Sequence, residues 1–99
     1  MSKIKLPVQN KIIELRSYKA KDQAEVEKKQ QKLAQGEIGL HEFRKYVVGL
    51  CYPEFVDSVD DWRAADLSYL VNLVLRYSVG GPDAVKNSLV SGSITEETV

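Results

Sequence analysis

The stretch LSYLVNLVLRYSVGG, residues 67–81, decides how this chain is read. Leu67, Leu70, Val71, Val74 and Leu75 fall on one helical stripe, and Tyr69, Leu73 and Tyr77 form a second beside it. Asp66, Asn72 and Arg76 are the interruptions. A helix apolar over most of its circumference is packed on more than one side. It is either the hub of a small core or a helix that keeps part of its apolar surface for a partner. The run falls short of the ~20 apolar residues that a bilayer span needs. Upstream, Ser58 followed by Asp61 resembles a capping box with Asp in place of Glu, and Asp60 and Asp61 suit the positive end of a helix dipole. The spacing therefore predicts a helix over 59–79, stopped by Gly80-Gly81-Pro82.

The rest of the chain must supply what surrounds that helix. KIKL (3–6) alternates lysine with an aliphatic residue, the period of a strand with one buried face. Pro7 to Asn10 supplies turn chemistry, and KIIELRS (11–17) reads as a second strand with Ile13 and Leu15 on one side. The result is a hairpin over 3–17, which two strands alone cannot stabilise in water. Residues 18–35 are rich in helix formers, with Ser17 as the expected cap and Gly36 as the stop. Val26 and Leu33 form its thin apolar stripe, and Glu25 with Lys29 makes an i,i+4 pair on its solvated face. A further helix over 40–51 carries Leu40, Phe43, Val47, Leu50 and Cys51 as a core-facing stripe and is limited by Pro53. PDAVKNSLV adds a turn or two, and 91–99 reads as a mobile tail. The fold class is α+β, mainly α: one small domain over 1–90, with an N-terminal β-hairpin on three helices, the third central.

Composition agrees with a globular domain rather than a disordered chain, with 43% hydrophobic and 28% charged residues among 99. The net charge is zero, but residues 1–35 carry nine basic and four acidic side chains, and residues 36–99 carry five and ten. The lysines alternate with acids and have only Tyr18 among them, so a solvated helix face explains them better than a nucleic-acid arm. One cysteine, Cys51, allows no internal disulfide and suits a reducing compartment. MSKIKLPVQN does not read as a secretion signal, so a soluble cytoplasmic protein is expected, with no membrane association.

Chemistry-bearing patterns are sparse. QKLAQGEIGLHEF imitates the second half of a calcium loop, but Gln31, Leu33 and Gln35 stand where the first three ligands belong. His41 has no partners at metal-ligand spacing, Cys51 lies on an apolar stripe, and capping explains two of Asp57, Asp60 and Asp61 around Trp62. GGP lacks the pattern of a phosphate-binding loop. No catalytic residue, metal site or cofactor is expected, and the chain reads as no enzyme.

Two segments carry a resemblance. IKLPVQNKIIELRSYKAKDQ (4–23) has a strand ending in Leu-Pro, a strand ending in Leu-Arg, an aromatic residue, and Lys-Asp opening a helix. Cys51 is then followed by DLSYLVNLVLRYSVG (66–80), with the frame D-x-x-Y-L…R…S-V-G. Together they resemble the baseplate hub assembly chaperones of T-even-type contractile-tailed bacteriophages and, more loosely, phage tail assembly chaperones. Arg76 stands one place later than the family's arginine, and Val71 stands where the family has an aromatic residue. The resemblance implies a non-enzymatic phage protein of the infected host's cytoplasm that binds a baseplate hub or tape-measure protein during virion assembly. A small phage regulator or inhibitor acting on a host protein or nucleic acid is the alternative, as is a minor structural component of the baseplate. A second copy of the chain is a further candidate partner. The expected client surface is the surplus apolar face of the third helix, Tyr69, Leu73, Arg76 and Tyr77, with Val26 and Leu33. The rival expectation is that the hairpin covers that face.

Overall fold

The computed structural model describes residues 2–90 of the chain. The lysine–aliphatic alternation forms β1 (Lys3–Lys5), which pairs antiparallel with β2 (Ile12–Glu14) so that Ile4 faces Ile13. Ile4, Leu6, Ile13 and Leu15 are buried, as a period-2 pattern requires when one sheet face meets a core. The Leu6 N–H donates to the Lys11 carbonyl at 2.9 Å to close the hairpin, with Asn10 in the left-handed region at φ 58°. The end of the described chain returns to the outer edge of this hairpin, where the Val90 N–H donates to the Lys3 carbonyl at 2.7 Å.

The first helix, α1 (Gln23–Ala34), begins later than its composition predicts. Ser17 does not cap it. Tyr18 is buried and its N–H donates to Ser78 Oγ at 3.1 Å, so the chain runs extended to Lys19 before a 3₁₀ turn at Ala20–Asp22. The stop at Gly36 is as expected. Its φ is 77°, the Gly36 N–H donates to the Leu33 carbonyl, and the Glu37 N–H donates to that of Lys32, a Schellman closure. The second helix, α2 (Leu40–Cys51), has the expected bounds and buries Phe43, Val47, Val48 and Cys51. Leu40 is instead about half exposed at its first turn, and Leu50 is only partly covered.

The third helix, α3, runs Ala64–Gly80 and starts five residues after the expected position. Ser58 and Asp61 form no capping box: Ser58 Oγ donates to the Phe55 carbonyl, and Val59–Asp61 make a 3₁₀ turn. Val59 is buried and the Trp62 ring tilts against Phe55 at 5.4 Å, which holds Trp62 and Arg63 extended and postpones the helix. The helix ends at Gly80, with Gly81 at φ 72°, followed by 3₁₀ turns at Pro82–Ala84 and Lys86–Ser88. The tail expected over 91–99 lies outside the described residues. None of the described helices is long and apolar enough to cross a membrane.

The oily circumference of α3 is explained by what covers it. Leu67, Leu70, Val71, Leu73 and Val74 are buried in one cluster with the inner residues of the hairpin and of α2. The hairpin's turn and the chain beyond β2 meet α3 near its two ends. The Val8 and Gln9 N–H groups of its turn donate to Asp66 in the first helical turn, and Tyr18 beyond β2 meets Ser78 in the last.

Candidate functional site

The expected client surface is largely used by the fold. Leu73 and Val26 are fully buried and offer a partner nothing in this conformation. Tyr69, Tyr77 and Leu33 are partly buried against the core, and Arg76 alone of the six is exposed. The exposed ridge of α3 is Asn72, Arg76 and Val79, which is not an oily face. The hairpin's turn and the chain just beyond β2 reach this helix at Asp66 and Ser78.

The residues of the D-x-x-Y-L…S-V-G frame have structural work at that joint. Asp66 is fully buried, and its carboxylate accepts from the Val8 N–H at 2.7 Å and the Gln9 N–H at 3.1 Å. It also sits in the first turn of α3, where the helix dipole favours negative charge. Ser78 accepts from Tyr18 at the other end. A second clamp joins the hairpin to the end of α2. The buried Tyr52 hydroxyl donates to the Glu14 carbonyl at 2.6 Å and accepts from the Arg16 N–H at 2.8 Å. Burial pushes the Tyr52 hydroxyl up to about 12, against the lowering effect of the Arg16 hydrogen bond. The Arg16 guanidinium lies 4.8 Å from the Tyr52 ring and donates to the Cys51 carbonyl at 2.9 Å, a cation at a helix C-terminus.

Cys51 lies in that joint as the small core residue its position predicts. Burial pushes its thiol up to about 11, away from the thiolate that nucleophilic or metal chemistry needs. His41 is on the surface with Nε2 2.6 Å from Asp60 Oδ1, and Lys45 Nζ reaches Asp60 Oδ2 at 3.1 Å. These hydrogen bonds, His41 first, hold the Asp60 carboxyl below the usual carboxylate range. A histidine beside a carboxylate is half of a catalytic constellation, and among the described residues that line the adjoining hollow there is no Ser, Thr or Cys. Among the described residues no group of three His, Cys, Asp or Glu side chains is placed to hold a metal ion.

The exposed large apolar side chains, Val8 and Ile12 on the hairpin, Leu40 at the start of α2, Val79 at the end of α3 and Val90, are dispersed, and partly covered ones border two hollows along α2. An open groove of about 490 Å³ has Tyr46, Gly49, Leu50 and Val56 as its floor, with Lys29, Glu42 and Lys45 at the rim. Lys29 does not pair with Glu25; its ammonium lies 4.7 Å over the Tyr46 ring. A smaller hollow of about 330 Å³ lies at the other end of the helix, between Leu40, Arg44, Trp62 and Leu67, with the His41–Asp60 pair at its lip. Neither was anticipated from the sequence. The signal for the first was Tyr46 and Leu50 four residues apart with a glycine beside them, a stripe offset from the core-facing one. No family model matches the chain, and no curated protein or solved structure matches it.

Proposed function

We propose that this chain is a non-enzymatic assembly chaperone of a contractile-tailed bacteriophage, binding a baseplate hub or tape-measure protein in the host cytoplasm during virion assembly. The sequence frames over 4–23 and 66–80 supply the family part of this reading. One observation supports the binding part: an open groove on the outer side of α2 is lined by Tyr46, Gly49, Leu50 and Val56, with Lys29, Glu42 and Lys45 around them. A chaperone has to cover an aggregation-prone apolar surface and then release it. A modest apolar floor edged by charge suits such transient contact. The client surface is accordingly assigned to α2, where Tyr46 is the aromatic anchor of the groove, and not to the covered face of α3.

Co-expression with the phage's tail and baseplate genes tests the reading. One structural component is expected to be soluble with this chain and insoluble without it, and Leu50→Glu is expected to abolish the rescue. The chaperone is expected to be absent or scarce in purified virions by mass spectrometry. If no tail component is rescued, or if the protein persists in virions at the level of a structural subunit, the reading is wrong.

A further inference from the structure

The chain beyond α3 is held to the molecule by fewer ties than the hairpin is. After Gly81 it makes its 3₁₀ turns at Pro82–Ala84 and Lys86–Ser88 and reaches the outer edge of β1. Its amides are mostly satisfied locally: Ala84 donates to the Gly81 carbonyl, Val85 to Pro82, Ser88 to Val85 and Leu89 to Lys86. Bonds of this i→i+3 kind have poorer geometry than those of an α-helix. Among the described residues, its one backbone hydrogen bond to an element outside the segment runs from the Val90 N–H to the Lys3 carbonyl, at 2.7 Å. Side-chain anchoring is as sparse. Val85 is buried and Leu89 packs partly against the core, whereas Pro82, Asp83, Ala84, Lys86, Asn87 and Val90 are exposed.

Two glycines set how this segment leaves the helix. Gly80 ends α3 where a Cβ would stand 2.6 Å from the Ala84 Cβ, and Gly81 has a φ of 72°. The first turn of the segment therefore closes against the helix only when residue 80 has no side chain. The reversal at residue 81 uses backbone that glycine adopts without penalty.

We propose that residues 82–90 form a strap that pivots at Gly80 and Gly81 and opens as a unit while the hairpin and the three helices stay folded, and that its closure occupies the edge of β1. Few buried contacts and local hydrogen bonds are what a unit of low local stability consists of. The hairpin is instead tied to α3 and to the end of α2 through Asp66, Ser78 and Tyr52, so it does not leave with the strap. Closed, the strap takes the Lys3 carbonyl and buries Val85. Open, it releases that acceptor and the apolar seat of Val85, and a strand edge with free acceptors is a template for pairing with another chain. The strap is a gate on that edge. This goes beyond the assembly reading and does not depend on where a client binds.

Amide hydrogen exchange in the full chain, read by NMR, tests the opening. Ala84, Val85, Ser88, Leu89 and Val90 are expected to share one opening constant, at least ~100-fold larger than that of Leu6 and Leu15, whose N–H groups bond across the hairpin. Gly80→Ala forces Ala84 away and is expected to raise the strap's constant about 10-fold while leaving Leu6 and Leu15 unchanged. Ala84→Gly in the same chain removes the collision and is expected to restore the wild-type value, which a general weakening of α3 would not allow. The vacated seat is probed with a blocked peptide of residues 85–90, VKNSLV, added in trans. It is expected to shift the Lys3 and Ile4 amides and to bind the Gly80→Ala chain about 10-fold more tightly than wild type, because the closed strap competes with it. Strap amides that open only together with Leu6 and Leu15 would make the segment part of one cooperative unit and overturn the proposal, and this comparison needs no variant to fold. Equal peptide binding to the two chains, or a Gly80→Ala effect that Ala84→Gly leaves in place, would overturn it as well.

Discussion

The joint that the hairpin makes with α3 and with the end of α2 is built differently from the α1 side of α2. Toward the hairpin, polar groups at the joint meet fixed partners: Asp66 takes two amides, Tyr52 takes one and gives one, and Arg16 closes the helix end. Toward α1, apolar atoms are left open, and the charges around them are Lys29, Lys45 and Glu42 at the surface. Groups removed from water must find partners in the molecule, so the first side is specified and rigid. A groove wetted in the free protein can exchange water for a partner, so the second side is adaptable. The molecule separates what holds it together from what is available to bind.

The largest test of that separation is Asp66→Ala. It leaves the Val8 and Gln9 amides without their acceptor and empties a fully buried position. Hydrogen bonds to a charged group contribute about 1.5–3 kcal/mol each, less where water replaces the acceptor, so a loss of about 3 kcal/mol is expected in denaturant unfolding. Amide exchange should accelerate in 3–14 before it does in α2. If the hairpin stays as protected as before, Asp66 is not the latch.

Tyr52→Phe comes next. It keeps the ring against Phe55, at 5.3 Å, and removes the hydroxyl from Glu14 and Arg16, a cost of about 2 kcal/mol for partners left part-buried. The wild-type protein adds a pH signature. Because the folded Tyr52 pKa is raised to about 12, its contribution is fully present below the unfolded value near 10 and is lost as pH rises through 12. Equilibrium unfolding between pH 9 and 12 should therefore show a steeper alkaline decline in wild type than in Tyr52→Phe. Parallel declines would remove Tyr52 from the account.

These joints mark the limit of what the residues disclosed in order. KIKL reported a strand because period 2 is local, and α2 was bounded by its own stripe and by Pro53. Gly36 marked the end of α1 because a left-handed closure needs a residue like it. The helix starts were misplaced because Tyr18 and Trp62 are drawn into tertiary contacts that local capping signals do not contain. The oiliness of α3 announced burial on several sides without naming what covers it. That answer depends on Asp66 meeting Val8, 58 residues away. The groove was hidden for a related reason. It consists of an absent side chain at Gly49, and absence becomes a shape only once Lys29 and Val56 are brought beside it.

On the groove side, substitutions should act with the opposite sign. Gly49→Ala adds a methyl group where Val56 Cγ2 is 3.5 Å away and no positive φ is required. Alanine restricts the unfolded chain and favours the helix, so a gain of about 0.5–1 kcal/mol is expected in denaturant unfolding. A loss would mean the groove is narrower than described and that glycine is there for packing, as at Gly80.

The smallest effect separates the two sides by their acids. Asp60 is exposed, and its carboxyl is held low first by His41 and then by Lys45. A depressed folded pKa contributes stability above the unfolded value, which disappears as pH falls through the folded one. For an exposed pair that contribution is small and screened by salt. His41→Ala should therefore raise the Asp60 titration midpoint, followed by its carboxyl carbon shift, toward the ordinary carboxylate value, and Lys45→Ala should raise it less. Neither should move the thermal midpoint measurably or alter the hairpin amides. If His41→Ala loosens the hairpin as Asp66→Ala does, the surface of α2 and the hairpin joint are coupled, and the separation between them fails.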